Sequence, residues 1–308
     1  MRADPAAVPE ADAVDGARLL DRPIFIVGCS RSGTTVMYRT LSDHPRMWSF
    51  YEELPHVFHA LAPVHPERGE RVESLPSPED RKALVDALYA SAHNKEVLRD
   101  LPVLRHVPRK LLQPALHPLY KRPPIRFIEK TPANVLRVPM LAEVFPEARF
   151  IYLVRRAEAV ISSLMEGWKY WSGTTGDAWS YGKWHYVTPP GWREWTGRSL
   201  QEICAFQWIE SNEIVRADLE ACCPGRYVTV RHEDALERPE ATYGRLREFC
   251  ELPPSTYFDG LVTRLEERHF THRLSAPRRD KWRDLHEDEV ESVRPMFQPL
   301  MEELYPEA

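Results

Sequence analysis

Apolar residues in this chain gather in short unbroken runs, each closed by a glycine or a charged residue. The runs are Ile24 to Val27, ended by Gly28; Ile125 to Glu129 (IRFIE); Arg149 to Val154 (RFIYLV); and Arg226 to Arg231 (RYVTVR). Such short continuous runs predict strands buried on both faces. Between them the apolar spacing changes to that of helices. Helices are predicted over Val36 to Leu41, Pro78 to about Leu119, from Asn134 to about Val144, and Ala157 to about Glu166. Others are predicted over Leu200 to about Ala221, Pro239 to Cys250, and Asp288 to Leu304. Asp43-His44-Pro45 stops the first of them, because proline removes a donor and restricts its predecessor. Strands alternating with helices at this spacing predict an α/β fold: a P-loop-like parallel β-sheet flanked by helices on both faces.

Two stretches depart from the alternation. Residues 65–122 read as a helical insertion after a proline-rich loop, and its end carries Arg105, Arg109, Lys110, Lys121 and Arg122. Residues 167–198 read as an aromatic-rich excursion holding Trp168, Trp171, Trp179, Trp184, Trp192 and Trp195. That excursion is either core packing or a flat-walled pocket for an acceptor molecule. Residues 1–20, rich in Ala, Asp and Pro, read as a disordered tail and not a signal peptide, which leaves 21–308 as one domain. No internal repeat is present.

Composition narrows the class. The net charge of −5 gives no overall basic character, so nucleic acid is not an expected partner. The five cysteines form no CxxC pair and no metal-ligand spacing, which fits a reducing compartment and no metal site. No apolar run approaches the about 20 residues of a membrane span. The expectation is a cytoplasmic protein without membrane attachment.

The candidate chemistry starts at the end of the first strand. Gly28-Cys29-Ser30-Arg31-Ser32-Gly33-Thr34-Thr35 has the spacing of the P-loop pattern GxxxxGK[ST], but Thr34 stands at the lysine position. Strand, tight loop and helix start make an anion site, since free amides and the helix dipole converge there. Without the lysine, and without an acidic strand end for magnesium, an ATPase or kinase becomes the lesser reading. The strand 149–154 runs instead into Arg155-Arg156.

Arg31-Ser32-Gly33-Thr34-Thr35 after a strand resembles the 5′-phosphosulfate loop of sulfotransferases that use 3′-phosphoadenosine 5′-phosphosulfate (PAPS). Arg155 at a strand end with Ser163 eight residues later is similar to the pair that holds the 3′-phosphate in that family. Arg156 and Ser162 are the neighbours one register away. Weaker likenesses are Glu129-Lys130-Thr131-Pro132, similar to a lysine segment of bacterial and tyrosylprotein-type members, and Val230-Arg231-His232-Glu233-Asp234, where the family has tyrosine at the His232 position. Lys281-Trp282-Arg283 resembles a cofactor-contacting segment. The resemblance implies the sulfotransferase fold, PAPS as donor, and 3′-phosphoadenosine 5′-phosphate (PAP) as product. It implies cofactor binding by Arg31, Ser32, Gly33, Thr34, Thr35, Arg155, Ser163, Lys281 and Trp282.

Transfer of SO₃ from phosphate to a hydroxyl or amine builds negative charge on the leaving phosphate. Arg31 and Lys130 are the cations placed there. The acceptor must lose a proton, so a base is required. By its distance from Arg31 the resemblance favours Glu52, with Glu53 the alternative and His56 and His59 as competing bases. The acceptor is left open among a small molecule, sugar, lipid or peptide. A P-loop kinase and a non-catalytic nucleotide-binding protein on the same fold are the alternative functions.

Overall fold

A computed structural model describes residues 22–49, 53–61, 64–75, 77–96, 126–172, 184–265 and 280–306. The predicted tail 1–20, Glu52, the basic cluster 105–122 and Trp179 lie outside the described residues.

Four of the five strands coincide with the apolar runs. They are β1 (Ile24–Val27), β3 (Arg126–Glu129), β4 (Arg149–Val154) and β5 (Tyr227–Arg231), while β2 (Met47–Trp48) has no counterpart among the predicted strands. All neighbours pair in parallel, in the order β2-β3-β1-β4-β5. The alternation within β1 explains both layers. Phe25 and Val27 enter one apolar core, and Ile24 and Ile26 enter the other. The first core takes Val160, Ile161 and Leu164 of a long helix, Ala157–Ser172, and Trp208 and Val215 of another, Leu200–Cys222. The second takes Met37, Tyr38 and Leu41 of helix α1 (Thr34–Ser42), and Tyr243 and Leu246 of the helix Pro239–Phe249. Buried branched and aromatic side chains on both faces are what a parallel sheet requires.

In chain order the remaining helices are α2 (Pro55–Leu61), α3 (Pro78–Glu96) and α4 (Val138–Val144), followed by the long helix Ala157–Ser172, now α5, and Leu200–Cys222, α6. Then come α7 (His232–Glu237), α8 (Pro239–Phe249), α9 (Thr256–Val262), α10 (Lys281–Ser292) and α11 (Arg294–Leu304). Three boundaries differ from the predicted ones. The helix expected to run on from Asn134 is a 3₁₀ turn over Pro132–Leu136 and then α4, separated at Arg137 (φ −129°, ψ 12°), with Pro139 entering the new helix. α5 continues to Ser172, so Trp168 sits on a core helix and the aromatic excursion begins later. The expected terminal helix is two helices that part at Val293, and the first starts at Lys281.

The chain leaves β1, builds β2 and β3 on one side, and returns to place β4 on the other. The carboxyl ends of β1 and β4 therefore flank the point where the winding reverses, which is where open α/β sheets bind ligands.

Candidate active site

The loop after β1 is shaped by two glycines. A Cβ on Gly28 would lie 2.5 Å from the carbonyl oxygen of Leu153, so only glycine lets the loop pack this close to β4. Gly33 has φ +94°, and a Cβ there would meet the His232 ring at 2.4 Å. Between them Ser32 N donates to Cys29 O (3.1 Å), and Arg31 takes a left-handed φ of 71°. α1 starts at once at Thr34, with no acidic residue in its first turn. Ser30 and Ser32 are buried, and their hydroxyls have no hydrogen-bond partner among the described residues. Buried hydroxyls are nearly always satisfied in native structures. Two orphans beside a helix N-terminus fit a cradle for an anion.

The two segments that the resemblance linked are in contact. Arg31 Nε donates to Ser163 Oγ at 3.1 Å, and Arg155 Nη1 donates to the Arg31 carbonyl at 2.9 Å. Ser163 and Arg155, not their neighbours Ser162 and Arg156, are the residues that meet Arg31. Ser162 turns into the core, where its hydroxyl meets His286 Nδ1 at 2.8 Å. Arg156 lies over the Tyr305 ring, and its amide donates to Glu233. The Arg31 side chain reaches over α5, so its charge sits beside Ser163 as well as over the loop.

A second cation completes the other side. Lys130 follows β3 and is only 2% exposed. Its ammonium donates to Thr35 Oγ1 at 3.0 Å and to the Glu53 carboxylate. Beneath it Glu129 is fully buried. One Glu129 oxygen accepts from Thr131 Oγ1, the other from Asn134 Nδ2 at 2.6 Å, and Thr131 Oγ1 in turn accepts from Leu54 N at 3.0 Å. Burial pushes the Glu129 carboxyl up to about 7, against the opposing pull of the Thr131 hydrogen bond and of Lys130. Sequence reasoning read Glu129 only as part of a motif. The usable signal was a carboxylate ending a buried strand.

The competing bases His56 and His59 both lie on α2. His59 is engaged with Glu70 (Nε2 to Oε1, 2.8 Å), and His56 is exposed on α2. Lys281 is exposed at the start of α10, whereas Trp282 is buried in the first core with Trp168. Trp168 donates to Gln207 at 3.1 Å and meets Trp184 edge-on at 5.6 Å. For Trp168 the core-packing reading is the observed one. Trp195 stacks on Phe206 at 4.7 Å and is partly open to solvent. Among the described residues no helix is long and apolar enough to cross a membrane.

A family model described as "Sulfotransferase family" matches residues 23–256. An omega-hydroxy-beta-dihydromenaquinone-9 sulfotransferase, Stf3 of Mycobacterium tuberculosis, is 26% identical over 274 residues, covering 76% of this chain and 64% of that protein. An uncharacterized protein of Aquifex aeolicus is 25% identical over 235 residues, covering 75% of this chain and 26% of its own length. The chain thus spans less than two thirds of each of these curated relatives. Among solved structures, a sulfotransferase domain from the curacin biosynthetic pathway is 17% identical with a TM-score of 0.49, covering 90% of this chain and 98% of that one. Sulfotransferase STF9 of Mycobacterium avium has the same identity and TM-score over 92% of this chain and 76% of that one.

Proposed function

Because the chain belongs to the sulfotransferase family, we propose that it transfers a sulfuryl group from PAPS to an acceptor hydroxyl or amine. The observation that carries this reading is the meeting of Arg31, Arg155 and Ser163 beside the loop whose Ser30 and Ser32 hydroxyls have no partner among the described residues. The residues present fit a ligand with an anionic group at each end. The loop and the start of α1 would hold the phosphosulfate. Arg155 and Ser163 would hold the 3′-phosphate, with Lys281 close to the nucleotide and Trp282 behind it in the core.

PAPS supplies an activated S–O bond that breaks as the acceptor oxygen bonds to sulfur, with PAP as the leaving group. The chain's own residues position and neutralise. Lys130 and Arg31 offset the charge that grows on the leaving phosphate, and the Thr34 and Thr35 hydroxyls and loop amides donate hydrogen bonds to it. Glu53 holds Lys130, and Glu52, next to it in the chain, takes the acceptor proton. Buried on the protein side, Lys130 is held in place before any ligand arrives, and such preorganisation lowers the reorganisation needed in the transition state.

The Stf3 relative is named for a hydroxylated menaquinone derivative. We extend to this chain only the class that this name contains, a hydroxyl on a small organic acceptor. The test is direct. PAP is expected to raise the melting temperature of the purified chain, and labelled sulfate is expected to pass from PAPS to an acceptor in a panel of phenols, alcohols and quinols. Absence of any PAP effect would sink the reading. PAP binding with no transfer to any acceptor would leave the non-catalytic nucleotide-binding alternative in its place. E52Q is expected to abolish transfer while keeping PAP binding; an E52Q chain that still transfers at the wild-type rate would remove Glu52 as the base.

A further inference from the structure

Glu129 is a carboxylate in the wrong place for the fold alone. It ends β3, is fully buried, and among the described residues its hydrogen bonds come from the neutral donors Thr131 and Asn134. A buried carboxylate held only by neutral donors is a costly choice, and an apolar side chain of similar size generally serves packing as well. What the carboxylate does here is choose the direction of one proton. Thr131 has a single hydroxyl hydrogen. Given to Glu129, it leaves the oxygen lone pairs free to accept the Leu54 amide at 3.0 Å.

Leu54 follows Glu53, and Glu53 pairs with Lys130, the residue after Glu129. Segment 53–54 is therefore fixed to segment 129–131 twice, by its backbone through Thr131 and by its side chain through Lys130. Lys130 carries the connection on to Thr35 on α1 at 3.0 Å. We propose that Glu129 is a positioning residue of the transfer reaction, acting through Thr131 and the Leu54 amide to hold the acidic segment in register with Lys130 and the phosphate loop. This rests on the sulfuryl-transfer reading above. Lys130 and Glu53 face the carboxyl from the site, and Arg137 faces it from the start of α4. Burial raises its proton affinity, so the accepting form is the one that loses ground on acidification.

The experiment uses the full chain and three variants, E129Q, T131V and T131S, with two readouts. The first is hydrogen exchange at the Leu54 amide. E129Q and T131V are expected to speed it about tenfold, and T131S, which keeps the hydroxyl, is expected to stay close to wild type. The second is steady-state transfer from PAPS. E129Q and T131V are expected to lower kcat about ten- to a hundredfold with the KM for PAPS little changed, because misplacement of a reacting group acts on the chemical step. T131S is expected to recover most of the rate that T131V loses.

Unchanged Leu54 exchange in both E129Q and T131V overturns the link itself, whatever the activities. Faster exchange with kcat unaffected, or with the loss appearing in KM for PAPS, overturns the positioning role. If E129Q does not fold, the T131V and T131S pair decides by the same criteria. A wild-type chain that neither binds PAP nor transfers sulfate overturns the sulfuryl-transfer reading, and the positioning role with it. That outcome is read from the wild type alone, so the two failures are distinct.

Discussion

Arg31 and Ser163 stand 132 positions apart in the chain and are joined by one hydrogen bond, 3.1 Å from the guanidinium Nε to the serine hydroxyl. Arg155 closes the same corner by donating to the Arg31 carbonyl. The phosphate loop and the start of α5 are thus in direct contact. If both residues hold the nucleotide, their contributions to its binding are coupled. R31A is expected to weaken PAP binding about ten- to a hundredfold, the range for a lost hydrogen bond involving a charge. S163A is expected to weaken it less, and the double variant to fall short of the two losses combined. Calorimetric titration with PAP checks this; strictly additive losses would show that the bond carries no coupling.

Lys130 sits in a different setting. Its ammonium is buried and already shared between Thr35 and Glu53. K130M is expected to lower kcat about a hundredfold or more, as loss of one transition-state donor does elsewhere, with a smaller change in PAP affinity. Rapid-quench measurement of the transfer step with saturating PAPS separates the two effects.

Glu129 makes stability depend on pH in a fixed direction. Its carboxyl sits at about 7 in the folded chain against an ordinary 4.5. Between those values the folded state keeps a proton that the unfolded chain has released. The contribution is therefore fully present below 4.5 and is lost as pH rises through about 7, with an upper bound of about 3 kcal/mol. The stability of wild type minus that of E129Q should fall across this window. Urea unfolding of both proteins at several pH values measures it, and a flat difference would count against the raised carboxyl.

Gly33 combines a left-handed backbone with a ring against its face. G33A is expected to destabilise the chain by more than the about 1–2 kcal/mol of the backbone conformation, because the new methyl group strikes His232. G33A in an H232A background should recover the steric part and not the backbone part. Melting curves of the two single variants and the double variant test the division.

The sequence disclosed those features that local physics decides. β4 was legible to the residue because five apolar or aromatic positions, Phe150 to Val154, run unbroken into two arginines. The shape of the loop Gly28 to Thr35 was legible because glycine spacing and a helix start are both local. β2 was not, since two residues, Met47 and Trp48, carry no period and pair only because β3 lies beside them. The break at Arg137 was hidden for the same reason, as apolar spacing continues across it. Arg155 and Ser163 were singled out by resemblance, and the structure adds that Arg31 donates to Ser163 while Arg155 donates to the Arg31 carbonyl. The Glu129–Thr131–Leu54 connection depends on which hydroxyl proton points where, and no spacing rule encodes that.

The sheet order has one more consequence, for a chain still being made. The phosphate loop is complete by Thr35, but the groups against it come from Lys130, Leu153, Ser163 and His232. Parallel neighbours are joined only through long crossovers, so these contacts form late. A nascent chain that has exposed the loop has nothing yet to close it. If the loop holds PAP as proposed, nucleotide affinity should arise abruptly once β5 and His232 have left the ribosome, and PAP retention would then report a finished sheet.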